Sequence, residues 1–259
     1  MRKLALRVFQ PFYGADSRLR YLFLRLYAWQ EVPLLYLFFR ISKLSLLRYA
    51  VIRKPFYYLL LHLLGTRGVV AEAATLAETE AFIDDLSPEY RIAVGPCRCR
   101  VGNHNCYHAI MTDIVIKQTA SVWFRDLFPN DYRTITKEEA KGICRASRAA
   151  GLVQCLDRHM YFNRSENYFV ICNCCAESCI PLIAYRLFKR ERFHFLASRS
   201  VVSIDPDKCI GCGTCIDACP FEERELKEEN GFATVLNCQG CGLCVDVCPQ
   251  GANVMVPRV

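Results

Sequence analysis

Two stretches decide how this chain reads: Cys209-Ile210-Gly211-Cys212-Gly213-Thr214-Cys215-Ile216-Asp217-Ala218-Cys219-Pro220 and Cys238-Gln239-Gly240-Cys241-Gly242-Leu243-Cys244-Val245-Asp246-Val247-Cys248-Pro249. Each copy runs C-x-x-C-x-x-C-x-x-x-C-P, and together they use eight of the 17 cysteines. Thiolates two residues apart let a tight loop wrap three corners of a cube. The longer last step starts a helix that carries the fourth sulfur away. This is the ligand spacing of paired cubane iron–sulfur clusters, in which the fourth cysteine of each run serves the other cluster. The expected sets are therefore Cys209, Cys212, Cys215 and Cys248 for cluster one, and Cys238, Cys241, Cys244 and Cys219 for cluster two. Zinc also uses C-x-x-C pairs, but it has no need of eight thiols in a doubled eleven-residue run.

Residues 205–252, including Asp207-Lys208-Cys209-Ile210-Gly211-Cys212-Gly213, resemble the bacterial ferredoxins that carry two [4Fe-4S] clusters. The resemblance implies a small pseudo-twofold α+β fold and one-electron transfer at low potential. It covers about a fifth of the chain, so the ferredoxin core is here an appended module.

A second group of cysteines lies upstream. Arg91-Ile92-Ala93-Val94 reads as a buried strand that runs into Gly95-Pro96-Cys97-Arg98-Cys99-Arg100, followed by His104, Cys106 and His108. A helix is expected from about 107 to 122. Thr136 to Glu139 reads as a capping box that opens a helix over 137–150, with Gly151 as its stop. The hairpin after it ends in Cys172-Asn173-Cys174-Cys175-Ala176-Glu177-Ser178-Cys179. Helix, turn and hairpin in this order suggest a winged-helix-like scaffold. From about residue 70 onward, the Pro-Cys-x-Cys-Arg loop and the Cys-Asn-Cys-Cys loop joined to a two-cluster module resemble a group of dicluster proteins. That resemblance implies further metal ligation in an anaerobic redox setting and names no substrate.

The seven upstream thiols, Cys97, Cys99, Cys106, Cys172, Cys174, Cys175 and Cys179, are expected to hold one or two additional iron–sulfur clusters. Two clusters would need an eighth ligand, for which His104 and His108 are the candidates. Zinc in one loop, or an exchanging dithiol, are the alternatives. Cys144 and Cys155 lack ligand spacing and read as buried apolar side chains.

Charge is uneven. Up to residue 67 there are 12 Lys and Arg against Asp16 and Glu31, a local balance of +10; the total is +7, so the rest carries −3. Residues 18–65 read as two or three helices rich in Leu, Phe, Tyr and Arg, with breaks expected near Pro33 and at Lys54-Pro55. Spanning a bilayer takes about 20 mostly apolar residues. The longest uncharged run here, Pro55 to Thr66, has twelve. An interfacial docking segment fits better, either on anionic lipid or against a partner subunit. Basic residues alternating with large aliphatics make a poor phosphate-tracking face, so nucleic acid is not expected. Residues 72–86 read as a solvated acidic helix.

The expected architecture is α+β. It comprises a basic hydrophobic helical segment (1–70), a central cysteine-rich domain (71–200) and a ferredoxin module (201–259). The expected function is single-electron relay between a redox enzyme and a membrane-associated or complex partner, as a subunit of an oxidoreductase rather than a stand-alone enzyme. A reductase with an open-site cluster at the 97–179 cysteines, and an iron–sulfur sensor or assembly factor, are the alternatives. Ligating thiols place the chain in a reducing cytoplasm, peripheral to the cytoplasmic membrane face if the basic segment docks there.

Overall fold

The computed structural model describes residues 26, 29, 32–41, 43–63, 69–104, 106–116, 128–159, 168–188, 195–227 and 231–258. The helix expected near residues 18–30, the tip of the hairpin and the basic run Lys189–Arg192 lie largely outside the described residues. Helices and strands are mixed, and the chain divides into two units. The first comprises 1–70, 87–136 and 157–171; the second comprises 71–86, 137–156 and 172–259. The units thus interleave along the chain, whereas the sequence reading divides it into consecutive blocks.

In the first unit, residues 32–41 are helical, and Leu35, Phe38 and Phe39 on one face are buried. This spacing of three to four residues is that of an amphipathic helix. A 3-10 turn, Ser45–Arg48, separates it from α1 (Ala50–Leu63). The break expected at Lys54-Pro55 thus falls earlier, and Pro55 lies inside α1. A proline there loses one backbone hydrogen bond and strains the preceding turn, and the helix continues through it. No helix among the described residues is long and apolar enough to cross a membrane.

Strand β2 (Ile92–Pro96) pairs antiparallel with β3 (Met111–Ile116), setting Ala93 opposite Val115 and Val94 opposite Ile114. The short β4 (Arg133–Thr134) takes the other edge of β2, while β3 pairs with β6 (Tyr168–Cys174) at Ile114↔Ile171. Residues 107–122 were expected to be helical, and β3 corrects that. Its Ile114-Val115-Ile116 run is β-branched and fully buried, which suits a pleated sheet interior better than a helix. Between β2 and β3 stands α3 (Arg98–Asn103), where only a loop was expected.

The second unit contains most of β1 (Val69–Ala74), which runs parallel to β7 (Phe195–Leu196). Helix α2 (Leu76–Asp84) follows, opened by a capping box between Thr75 and Glu78. The acidic stretch 72–86 is therefore strand and then helix, because the cap at Thr75 fixes where the helix starts. Against α2 packs α4 (Lys137–Ala149), tied by Lys141 to Asp84 at 2.8 Å and Arg145 to Glu80 at 2.6 Å. Strand β5 (Val153–His159) leaves α4 and lies beside β6; α5 (Ile180–Phe188) follows β6. Val153, Leu182, Tyr185, Phe221 and Leu243 pack into one buried core.

The last 60 residues form two antiparallel ribbons. In the first, β8 (Ser200–Ile204) pairs with β11 (Asn253–Pro257); in the second, β9 (Arg224–Leu226) pairs with β10 (Ala233–Val235). Two four-residue helices, α6 (Thr214–Asp217) and α7 (Leu243–Asp246), occupy equivalent positions in the two copies. Each is entered from a left-handed glycine, Gly213 at φ 78° and Gly242 at φ 80°. A residue with a Cβ is strained at that φ, which explains why glycine precedes the third cysteine of each run by two positions.

Candidate metal centre

The turn before each short helix presents its cysteines inward. One cavity is lined by Cys209, Cys212, Cys215 and Cys248, together with Gly211 and Pro249. A second is lined by Cys219, Cys238, Cys241 and Cys244, together with Arg224 and Val202. Each cavity thus gathers three thiols from one run and the fourth from the other. The fourth arrives there because α6 and α7 carry Cys219 and Cys248 past their own loops.

The donor set suits an anionic iron–sulfur cube. In the second cavity Arg224 is buried and gives Nη2 to Asn253 Oδ1 at 2.7 Å. Its Nε and Nη1 have no hydrogen-bond partner among the described residues. Two unspent cationic donors beside four thiols are costly unless a negative group completes them. Backbone N–H groups already aim at sulfur, with Gly240 N donating to Cys238 Sγ and Ala252 N to Cys248 Sγ, both at 3.2 Å. The Cys212 sulfur lies 3.4 Å from the Thr214 hydroxyl.

These contacts set the acidity of the thiols. Hydrogen bonding from the Thr214 hydroxyl and N–H holds the exposed Cys212 thiol below its usual value. At Cys248, burial acts to raise the thiol, but the N–H groups of Asn253, Gln250, Ala252 and Gly251 outweigh it. Burial pushes Cys241 up, and pushes Cys244 up to about 11 in spite of the charge of Arg224.

The upstream cysteines fall in different units. Cys97 precedes α3, Cys99 lies within it and Cys106 follows it, all in the first unit. The loop is locked by the buried Arg100, which donates to Thr112 Oγ1 at 2.8 Å and also to the carbonyl of Ala109. Arg98 lies 4.2 Å over the ring of Phe128. The motif's arginines therefore brace this loop. His104 ends α3 in the left-handed region, stands edge-on to Tyr36 at 5.3 Å, and lines a groove with Arg40 and Lys43. His108 stacks on Tyr107 at 4.2 Å.

Cys172, Cys174, Cys175 and Cys179 belong to the second unit. The Cys174 thiol makes hydrogen-bonding contacts with Cys155, Cys172 and Cys179; those contacts, and then burial, push it well above its usual range. Cys155 is thus a candidate that sequence spacing does not reveal. It stands on β5, seventeen residues before Cys172, and only strand pairing brings it to the other thiols. Cys144 is buried on α4, its thiol pushed up to about 12 by burial in spite of a hydrogen bond with Asn173. Among the described residues, no three His, Cys, Asp or Glu side chains close around a point that would hold a single ion. The eight C-terminal cysteines share this property: they surround volumes rather than points.

Glu78 was expected to be a solvated member of an acidic helix. Instead it accepts from the hydroxyls of Ser198 at 2.8 Å and Ser200 at 3.0 Å, and from Thr75 N at 2.7 Å. Ser198 N in turn donates to Gln239 O at 2.9 Å. The carboxylate thereby holds the segment on which the Cys238–Cys244 loop rests.

With two four-thiol cavities related by an internal repeat, the C-terminal part of the chain is a ferredoxin-type iron–sulfur module. Residues 201–249 match the 4Fe-4S dicluster domain family. Ferredoxin-2 of Desulfomicrobium norvegicum is 59% identical over 32 residues, which are 12% of this chain and 51% of that protein. The chain thus spans about half the length of that curated relative. No solved structure matches it significantly.

Proposed function

We propose that this chain is an electron-relay protein whose C-terminal module holds two [4Fe-4S] clusters and passes single electrons between a redox enzyme and a membrane-associated partner. The observation that carries this reading is the pair of cavities, each lined by four cysteines with one exchanged between the runs. When bound, such clusters supply one-electron oxidation and reduction at iron, over potentials tuned by charge, hydrogen bonds to sulfur and solvent exposure. The chain's own residues do the tuning. Gly240 and Ala252 donate N–H to ligating sulfurs, and Arg224 and the buried Arg148 place positive charge beside the second set. Cys212 and Ile210 are exposed at the first cavity, giving an electron a short way in or out there.

The basic N-terminal segment supplies the docking half of the proposal. Trp29 is 78% exposed and Val51 86%, and Leu44, Leu46 and Tyr49 are also exposed, all within a stretch of net positive charge. Aromatic and aliphatic side chains beside Lys and Arg suit the interface of an anionic membrane.

Purification without oxygen, iron and sulfide counting, and a redox titration followed by electron paramagnetic resonance test the relay. We expect at least about eight irons per chain, two cubes of four, and reversible one-electron signals. Protein that takes up no iron and sulfide would overturn it. Flotation with anionic and neutral liposomes tests the docking half, with binding expected to anionic vesicles alone and to weaken with salt.

A further inference from the structure

We propose that Cys155, Cys172, Cys174 and Cys179 hold a third iron–sulfur cluster, with Cys155 as its fourth ligand, packed against the same core as the second cluster's Cys219 and Cys241. The inference rests on the iron–sulfur reading above and extends it to a site that cysteine spacing does not announce.

The geometry begins with two neighbouring strands. Cys172 and Cys174 are two residues apart on β6 and so point to one face of the sheet. Cys155 comes from β5, the neighbouring strand, and Cys179 stands immediately before α5. All four pack in a single apolar core with Val153, Leu182 and Tyr185. Cys155 is fully buried, Cys179 is 4% exposed and Cys174 6%. Cys175, although buried, is not a member of that core, and Cys144 lies outside it too.

A lone buried cysteine is an ordinary small apolar side chain. Four converging from two strands and a helix start are a different matter, because packing alone would be served by alanine, valine or leucine at any of the four. A cubane binds each thiolate at a separate iron, so its ligands must enclose a volume and need not meet at a point. The eight thiols of the ferredoxin module are arranged in that way. Binding requires the thiols to deprotonate, and inorganic iron and sulfide supply the positive charge and the bridging atoms. The same core continues to Cys241, Leu243 and Phe221, with Cys219 packed on it, so this set and two thiols of the second cavity share one apolar core.

The test uses the full chain, made and kept without oxygen, with iron and acid-labile sulfide counted alongside resonance spectra of the reduced protein. The intact chain should carry at least about twelve irons. Cys155→Ser should lose about four of them, or show a three-iron signal, with the module's signals intact; Cys144→Ala should change nothing. Wild-type protein with about eight irons would overturn the third cluster while leaving the relay reading standing. An unchanged iron count in Cys155→Ser, or zinc in place of iron at this set, would overturn it equally. Absence of all iron–sulfur signals would instead sink the relay reading itself. Should Cys155→Ser fail to fold, the wild-type count still decides between eight and twelve.

Discussion

Arg148 Nη1 donates to the carbonyl oxygen of Cys241 at 2.6 Å, reaching from the last turn of α4 into the loop that carries the second set of thiols. Its Nε is engaged by Asp246 on α7, and the side chain is 7% exposed. A buried cation at this distance favours the more negative, reduced state of anything bound between Cys238, Cys241, Cys244 and Cys219. Arg148→Met should therefore lower the reduction potential of that centre by about 60 mV, a tenfold change for a one-electron couple. Arg148→Lys should recover part of the shift. Redox titration of the two resonance signals measures it, and equal shifts in both centres would contradict a local effect.

The cysteines that line the two C-terminal cavities were legible because cluster ligation would dictate their spacing along the chain. The residues that support them were not. Arg148 and Glu78 act across 93 and 120 residues, on Cys241 and Ser198 respectively, and nothing local marks them. Cys155 was hidden for the same reason, since strand pairing rather than a loop brings it to Cys174. The helix expected over 107–122 failed at the Ile114-Val115-Ile116 run, a short apolar segment whose periodicity does not separate strand from buried helix. The strand 91–94 and the helix opened at Lys137 were legible, since each is bounded by turn or cap residues.

Glu78 makes the second unit sensitive to acid. Burial acts to raise its carboxyl, but hydrogen bonds from Thr75 N–H and the Ser198 and Ser200 hydroxyls prevail and hold it below its ordinary 4.5. A depressed carboxyl stabilises the fold above the unfolded value and loses that contribution as pH falls through the folded one. At pH 7 Glu78→Gln should cost roughly 1–2 kcal/mol, near the low end because the carboxylate is only part-buried. As pH falls below the folded-state value of this carboxyl the two proteins should converge. Urea unfolding at several pH values checks this, and a gap that persists at acid pH would point to packing rather than charge.

Gly95 carries a different kind of constraint. A Cβ there would lie 2.2 to 2.4 Å from the ring of Tyr132, whose hydroxyl donates to the buried Asp113 at 3.0 Å. The ring cannot withdraw without leaving that carboxylate short of a partner. Gly95→Ala should destabilise the first unit by about 1–3 kcal/mol, and Tyr132→Leu in the same chain should relieve part of the clash. Hydrogen exchange read separately on Ile92–Pro96 and on the C-terminal ribbons would localise the loss. Equal loosening of both would count against this origin.

The exchange of cysteines between the two runs gives the sharpest test of the C-terminal site. Cys219 follows α6, which is entered from the first run, yet it lines the cavity of Cys238, Cys241 and Cys244; Cys248 does the converse with Cys209, Cys212 and Cys215. Cys219→Ser should therefore perturb the centre of the second run and spare that of the first, and Cys248→Ser should do the opposite. The two centres are distinguishable beforehand, because the potential shift caused by Arg148→Met marks the second. In the doubly substituted chain Arg148→Met, Cys219→Ser, both changes should fall on one resonance signal. If Cys219→Ser instead altered the signal that Arg148→Met leaves alone, each run would be closing on its own fourth cysteine, and the repeat would form two separate sites rather than an interlocked pair.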